Sequence, residues 1–181
     1  MKKILFSLFT LALAITCHAQ QINGSFMGLK MGFSSMEDAI DIFEARGIEY
    51  DVDDNTTLYF ISPLFGTHQI CKLTIPAEGT IPAIETITRG DHDIASMSIA
   101  GDKCLTTLMT ISRDKELYEV NLADGALTQL SNINSHVYHN VKMGKVEKRM
   151  VKTTDGKEML TWVILPPDFY PAKKYPTLLY C

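Results

Sequence analysis

The chain has 181 residues, enough for one ordinary domain with a sizeable core. It is 46% hydrophobic and 21% charged, with a formal net charge of -4. That balance is ordinary for a globular protein and points away from nucleic acid and from an anionic membrane surface as partners.

The first residues have a job of their own. Lys2-Lys3 precedes the apolar run ILFSLFTLALAI and then TCHAQQ. The run is too short to span a bilayer and Ala19 supplies a small residue for cleavage, so residues 1–19 read as a secretory signal peptide and the protein as periplasmic or extracellular. Lipidation at Cys17 is the rival reading. Lipoprotein signals favour a small residue before the cysteine, and Thr16 stands there instead. Export leaves Cys71, Cys104 and Cys181, an odd set at wide spacing that implies no disulfide framework. Cys71 and Cys104 lie in apolar runs and read as buried small hydrophobes, with a single bridge between them left open. No CxxC pair suggests zinc.

Residues 22–53 read as a small α+β lead-in. SFMGLKM has strand character, and Ser34 through Glu37 has the spacing of a capping box, which predicts a helix. Met36, Ala39, Ile40 and Phe43 fall on one face of it, Asp38, Asp41 and Glu44 fall elsewhere, and Gly47 suits the left-handed residue that ends it. IEYDV is then a strand and DDNT a turn.

From Thr57 the hydrophobic period changes to two, and the text repeats itself. QICKLTI can be laid on ELYEVNL, AEGTI on ADGAL and ETIT on TQLS, with offsets in the forties. Short strands at that period, separated by turns at FGT, AEG, SRDK and ADG, predict about two four-stranded blades of a β-propeller over residues 55–134. Two blades cannot close a ring, so strand edges are expected to be exposed and self-association with them.

Residues 140–181 read as a strand (KVEKRMVKT), a hairpin turn at Asp155-Gly156, a second strand (KEMLTWVIL), a Pro-Pro stop, and a third apolar strand ending PTLLYC. The Lys and Arg residues alternate with apolar ones, as on a solvated sheet face.

Here the chain resembles a known family. The hairpin at Thr154-Asp155-Gly156, Trp162 in the second strand, Pro167 with Phe169, and Lys174-Tyr175-Pro176 before an apolar strand are similar to the entry into the catalytic domain of the prolyl oligopeptidase family of serine peptidases. The likeness is to its dipeptidyl-peptidase and acylaminoacyl-peptidase branch. TLYFISPLFGTHQICKLTIP and ITRGDHDI resemble its propeller blades, so the likeness covers about residues 55–181. It implies a mainly β chain, with partial propeller blades and the first strands of an α/β-hydrolase domain behind the α+β lead-in.

The resemblance also implies exported peptide-bond hydrolysis by a Ser activated by His and Asp, with short peptides as substrates. Those groups are not found here. No G-x-S-x-G occurs; Gly32-Phe33-Ser34-Ser35-Met36 lacks the second glycine. A Gly-rich oxyanion segment and an adjacent Glu-Glu pair are also missing from the sequence. No catalytic residue, metal ligand or cofactor is therefore assigned. The chain reads as a C-terminally truncated member, inactive alone. The alternative is a complete, non-enzymatic secreted β-domain for binding or assembly.

Other constellations have plainer readings. His136 and His139 have i, i+3 spacing, but VYHNV has strand character, which would put them on opposite faces. Asp91-His92-Asp93 after Gly90 reads as turn chemistry, and the tripeptide Arg89-Gly90-Asp91 as coincidence. Trp162 reads as core packing for the hydrolase sheet. Asn23 and Asn55 fit the glycosylation pattern.

Overall fold

The computed structural model describes residues 36–52, 56–74, 83–101 and 103–180. The expected signal peptide, Cys17, the strand SFMGLKM, Asn23, Asn55, the AEG turn and Cys181 lie outside them.

The helix expected after the capping box is present as α1 (Met36–Arg46). Its end follows from Gly47, which takes φ +63°. The Gly47 N–H donates to the Glu44 carbonyl (3.1 Å) and the Ile48 N–H to the Phe43 carbonyl (3.0 Å), so two carbonyls of the last turn find donors.

Two four-stranded antiparallel sheets follow. The first runs β1 (Tyr50–Val52), β2 (Thr57–Leu64), β3 (Thr67–Thr74) and β4 (Ala83–Thr86) in that spatial order. The second runs β5 (Asp93–Ala100), β6 (Lys103–Thr110), β7 (Arg113–Val120) and β8 (Leu127–Gln129) in the same way. The chain is mainly β, and each sheet has the meander order of a propeller blade.

The repeat is visible in the pairing. Leu73 lies opposite Leu58 and Ile84 in the first sheet; Val120 lies opposite Cys104 and Leu127 in the second. Tyr50–Val52, read from sequence as part of the lead-in, is instead the first strand of the first sheet, with Tyr50 opposite Phe60 and Val52 opposite Leu58. The β2–β3 turn, Phe65-Gly66, has φ +50° and +73°. Two positive φ values in a two-residue loop match the twist of the strands it joins.

Alternation then builds two cores. Leu58, Phe60, Leu64, Cys71 and Leu73 project from one face of the first sheet and pack with Phe43 of α1. Tyr59 and Ile70 project from the other face and meet Ile94, Cys104, Leu108 and Val120 of the second sheet. Leu58, Phe60, Ile70 and Leu73 are fully buried, each worth about 1.5–3 kcal/mol relative to exposure. Cys71 of the first sheet and Cys104 of the second are buried in different cores and are not bonded to each other, which closes the question of a bridge between them.

Beyond the second sheet lie a short helix α2 (Ser135–Tyr138) and the hairpin β9 (Val146–Lys152) and β10 (Glu158–Ile164). The Asp155-Gly156 turn is as expected: Gly156 has φ +83°, its N–H donates to the Thr153 carbonyl (3.0 Å), and the Thr153 N–H donates to the Lys157 carbonyl (2.8 Å). Two expectations fail. VYHNV is not a strand: Val137 N–H donates to the Asn134 carbonyl (3.0 Å) and His139 N–H to the Ser135 carbonyl (2.9 Å), which is helical pairing. YPTLLYC forms no strand over residues 175–180, where no neighbouring strand among the described residues takes up its backbone groups and Leu178 and Tyr180 are fully exposed. Among the described residues no helix is long and apolar enough to cross a membrane.

Burial pushes the Cys104 thiol up to about 11, with the charge of Asp51 adding to the effect. Native protein at pH 8 should therefore leave Cys104 unalkylated by iodoacetamide, and urea should release it. Mass spectrometry reads the difference; rapid labelling of the folded protein at Cys104 would contradict the packing.

Candidate functional site

Three loops converge at one end of the stacked sheets: the β2–β3 turn, residues 89–92 between β4 and β5, and the β6–β7 turn at residues 111–112. The hairpin β9–β10 lies against them. At Gly66 a Cβ would stand 2.6 Å from Leu160 Cδ2 and 3.1 Å from Trp162 Nε1. Glycine there serves both its positive φ and the approach of the hairpin.

Trp162 and Lys148 are cross-strand partners in the hairpin. The Lys148 ammonium lies 5.1 Å from the centre of the indole ring and 3.4 Å from Asp91 Oδ1. A recess of about 190 Å³ is lined by Asp91, Thr110, Ile111, Ser112, Val146 and Trp162. Trp162 thus faces the blade turns across this seam, a different setting from the interior of a hydrolase sheet that its hydrophobicity suggested.

The residues behind the seam are held by turn chemistry. Gln69 Nε2 donates to the carbonyls of Gly90 (3.1 Å) and His92 (3.0 Å). Asp93 Oδ1 accepts the His68 backbone N–H (2.8 Å) and lies 2.9 Å from His68 Nδ1. His92 is half-buried, and burial lowers its pKa against the opposing pull of Asp93 and then Asp91. Its Nε2 has no hydrogen-bond partner among the described residues. Asp91 of the Arg89-Gly90-Asp91 tripeptide is engaged by Lys148.

The His68–Asp93 pair has the form of a base and its orienting carboxylate, but among the described residues no serine hydroxyl bonds to His68. His136 Nδ1 lies 2.9 Å from the Ile133 carbonyl, and His139 follows the end of α2. Among the described residues no three His, Cys, Asp or Glu groups gather as a metal site would require.

Sequence reading missed the clamp on the chain leaving the second sheet. The Glu116 carboxylate accepts the Ser131 hydroxyl, the Ile133 N–H (2.9 Å) and the Asn134 N–H (2.8 Å). Ser131 Oγ in turn accepts the Leu117 N–H (2.8 Å). Tyr138 of α2 closes the other side: its hydroxyl accepts the Asp114 N–H (2.7 Å) and Arg113 stands 4.8 Å over its ring. The signal was legible in part, because Glu116 alternates with Tyr118 and Val120 and so points inward with them.

Comparison with known proteins places the chain. No protein-family model matches it. It is 35% identical over 139 residues to dipeptidyl-peptidase 5 of Porphyromonas gingivalis, covering 74% of this chain and 20% of that protein. Over most of its length the chain is similar to prolyl oligopeptidase-family peptidases. Dipeptidyl-peptidase 5 of Porphyromonas endodontalis is 29% identical over 125 residues, covering 69% of this chain and 18% of the relative.

Among solved structures, an acylaminoacyl peptidase of Pyrococcus horikoshii superposes with TM-score 0.54 at 22% identity, over 71% of this chain and 19% of that one. The AtxE2 isopeptidase superposes with TM-score 0.53 at 19% identity, over 68% and 19%. At such identities the structural likeness speaks for the fold alone. The chain spans about a fifth of the length of the dipeptidyl-peptidases it matches.

Hydrogen bonds hold the Glu116 carboxyl below its usual range, the Ser131 hydroxyl contributing most and the Asn134 backbone next. A lowered folded pKa adds stability that is present above the unfolded value and lost as pH falls through the folded one. Glu116→Gln should therefore lower the melting temperature at pH 7, with the gap to wild type narrowing in acid. A gap independent of pH, or none, would show that the clamp carries no charge-dependent stability.

Proposed function

We propose that this chain is a part of an exported serine peptidase, comprising the last propeller blades and the crossing into the hydrolase domain. The observation that carries the reading is the 35% identity to a dipeptidyl-peptidase over most of the chain. In this reading residues 1–19 are the export signal, the two blades run from Tyr50 to Gln129, and the hydrolase portion begins near residue 140. Short peptides are the substrates of the whole enzyme, because a propeller beside the catalytic domain limits what reaches the site.

Acyl transfer needs a hydroxyl nucleophile, a base oriented toward it, and donors aimed at the oxyanion. None of the family's motifs for these groups has a counterpart in this sequence. The 181 residues are accordingly assigned a structural role: they present the blade turns on which the hairpin carrying Trp162 is seated.

Purified alone, the chain should release nothing above buffer from dipeptidyl chromogenic substrates. Turnover abolished by a serine-directed phosphonate would overturn the assignment. When the chain is expressed with its leader in a bacterial host, the recovered product should begin at Gln20, as read by intact mass. Retention of residues 1–19 on folded protein that stays in the cytoplasm would remove the export reading while leaving the peptidase relation untouched.

A further inference from the structure

The two sheets are treated differently on their outer faces. The face of the first sheet turned away from the second carries Leu58, Phe60 and Leu73, all fully buried, and among the described residues α1 is the element packed on it. Phe43 is the plug, with its ring centre 5.0 Å from Phe60 and 6.3 Å from Tyr50. Tyr50 also donates its hydroxyl to Glu44 Oε1 (2.7 Å), tying the helix to β1. The outward positions Asp41, Glu44 and Arg46 are exposed.

The second sheet supplies the comparison. Tyr59 and Ile70, which dock the first sheet onto the second, correspond by strand register to Leu105 and Leu117. Those two are 41% and 37% exposed. Each sheet thus has a docking face and a receiving face. In the second sheet the receiving face is covered by the first and the docking face is open. In the first sheet the receiving face is covered by a helix.

We propose that α1 is an end cap: it occupies the receiving face of the first sheet and prevents a second copy of this chain from stacking there through its open Leu105–Leu117 face. The contact it blocks joins two different surfaces, so it would repeat from copy to copy without closing. Terminal elements with a polar outer face serve this purpose in stacked-repeat proteins. The inference rests on reading the sheets as neighbouring blades, and it makes no use of peptidase activity.

The test is sedimentation velocity on the full chain over a concentration series. Phe43→Asp should expel the helix and strengthen self-association by about tenfold or more, giving a ladder of species rather than a closed dimer. Adding Leu105→Asp and Leu117→Glu should return the protein to the wild-type profile. Should Phe43→Asp not fold, Phe43→Ala carries the same comparison. A Phe43 variant that loses stability without associating, or associates regardless of charges at positions 105 and 117, overturns the proposal. If instead the cap holds and the peptidase reading fails, association changes as stated while a longer chain with the missing segments proves inactive.

Discussion

A four-stranded sheet of short strands cannot take both of its faces out of water by itself, and stacking is the arrangement that achieves it. Tyr59 and Ile70 from the first sheet meet Ile94, Cys104, Leu108 and Val120 from the second, and the remaining geometry follows from that contact. It brings the edge strands β1 and β5 together, where the carboxylates of Glu49 and Asp51 accept the N–H groups of Met97 (3.1 Å) and Ile99 (2.7 Å). Backbone donors on an edge that would otherwise face water or another chain are thereby satisfied. It also brings the β7–β8 turn against the end of β4. A Cβ at Gly125 would lie 2.1 Å from the Ile87 carbonyl oxygen, so the sheets approach as closely as a residue without a side chain permits.

Stacking also fixes where the rest of the chain can go. The β2–β3 and β6–β7 turns lie at the same end of their sheets, and together with Asp91 they make the platform that receives Trp162. The chain reaches that platform by way of residues 131–134, which the Glu116 carboxylate binds through three donors. A carboxylate suits this position because the crossing segment presents successive N–H groups with no strand to receive them. The short helix at residues 135–138 follows directly on the segment that Glu116 holds.

What the sequence disclosed depended on whether a feature was local. Period-two alternation in TLYFISPL and KCLTTLMT, with Gly66 and Gly125 in turns, was enough for the repeat, because strand alternation and positive φ are properties of a few neighbouring residues. Aligning QICKLTI with ELYEVNL even kept faces in register, with Leu73 over Val120. IEYDV was legible as a strand, but only pairing with β2 shows which sheet owns it. Trp162 was read as interior, since hydrophobicity reports that a residue avoids water and not which surface covers it. VYHNV has strand-like residue types, yet its N–H groups are taken up locally, Val137 and His139 donating to the Asn134 and Ser135 carbonyls. PTLLYC failed for the complementary reason: an apolar run becomes a strand only beside another one.

The contacts at the seam and between the sheets differ in kind and in strength. At the seam, Lys148 over Trp162 is a cation–π contact of about 0.5–1 kcal/mol, and the partly exposed Lys148–Asp91 pair adds about 0–1 kcal/mol. Between the sheets, fully buried side chains such as Ile70 each contribute about 1.5–3 kcal/mol. Contact for contact, the polar bonds at the seam are weaker than the packing between the blades, and the approach of Leu160 and Trp162 to Gly66 adds apolar burial to them. The Glu116 carboxylate separately holds the linker at β7. The chain thus joins three kinds of contact: an apolar stack of two sheets, a linker bound through its N–H groups by one carboxylate, and a hairpin seated where glycine lets it approach.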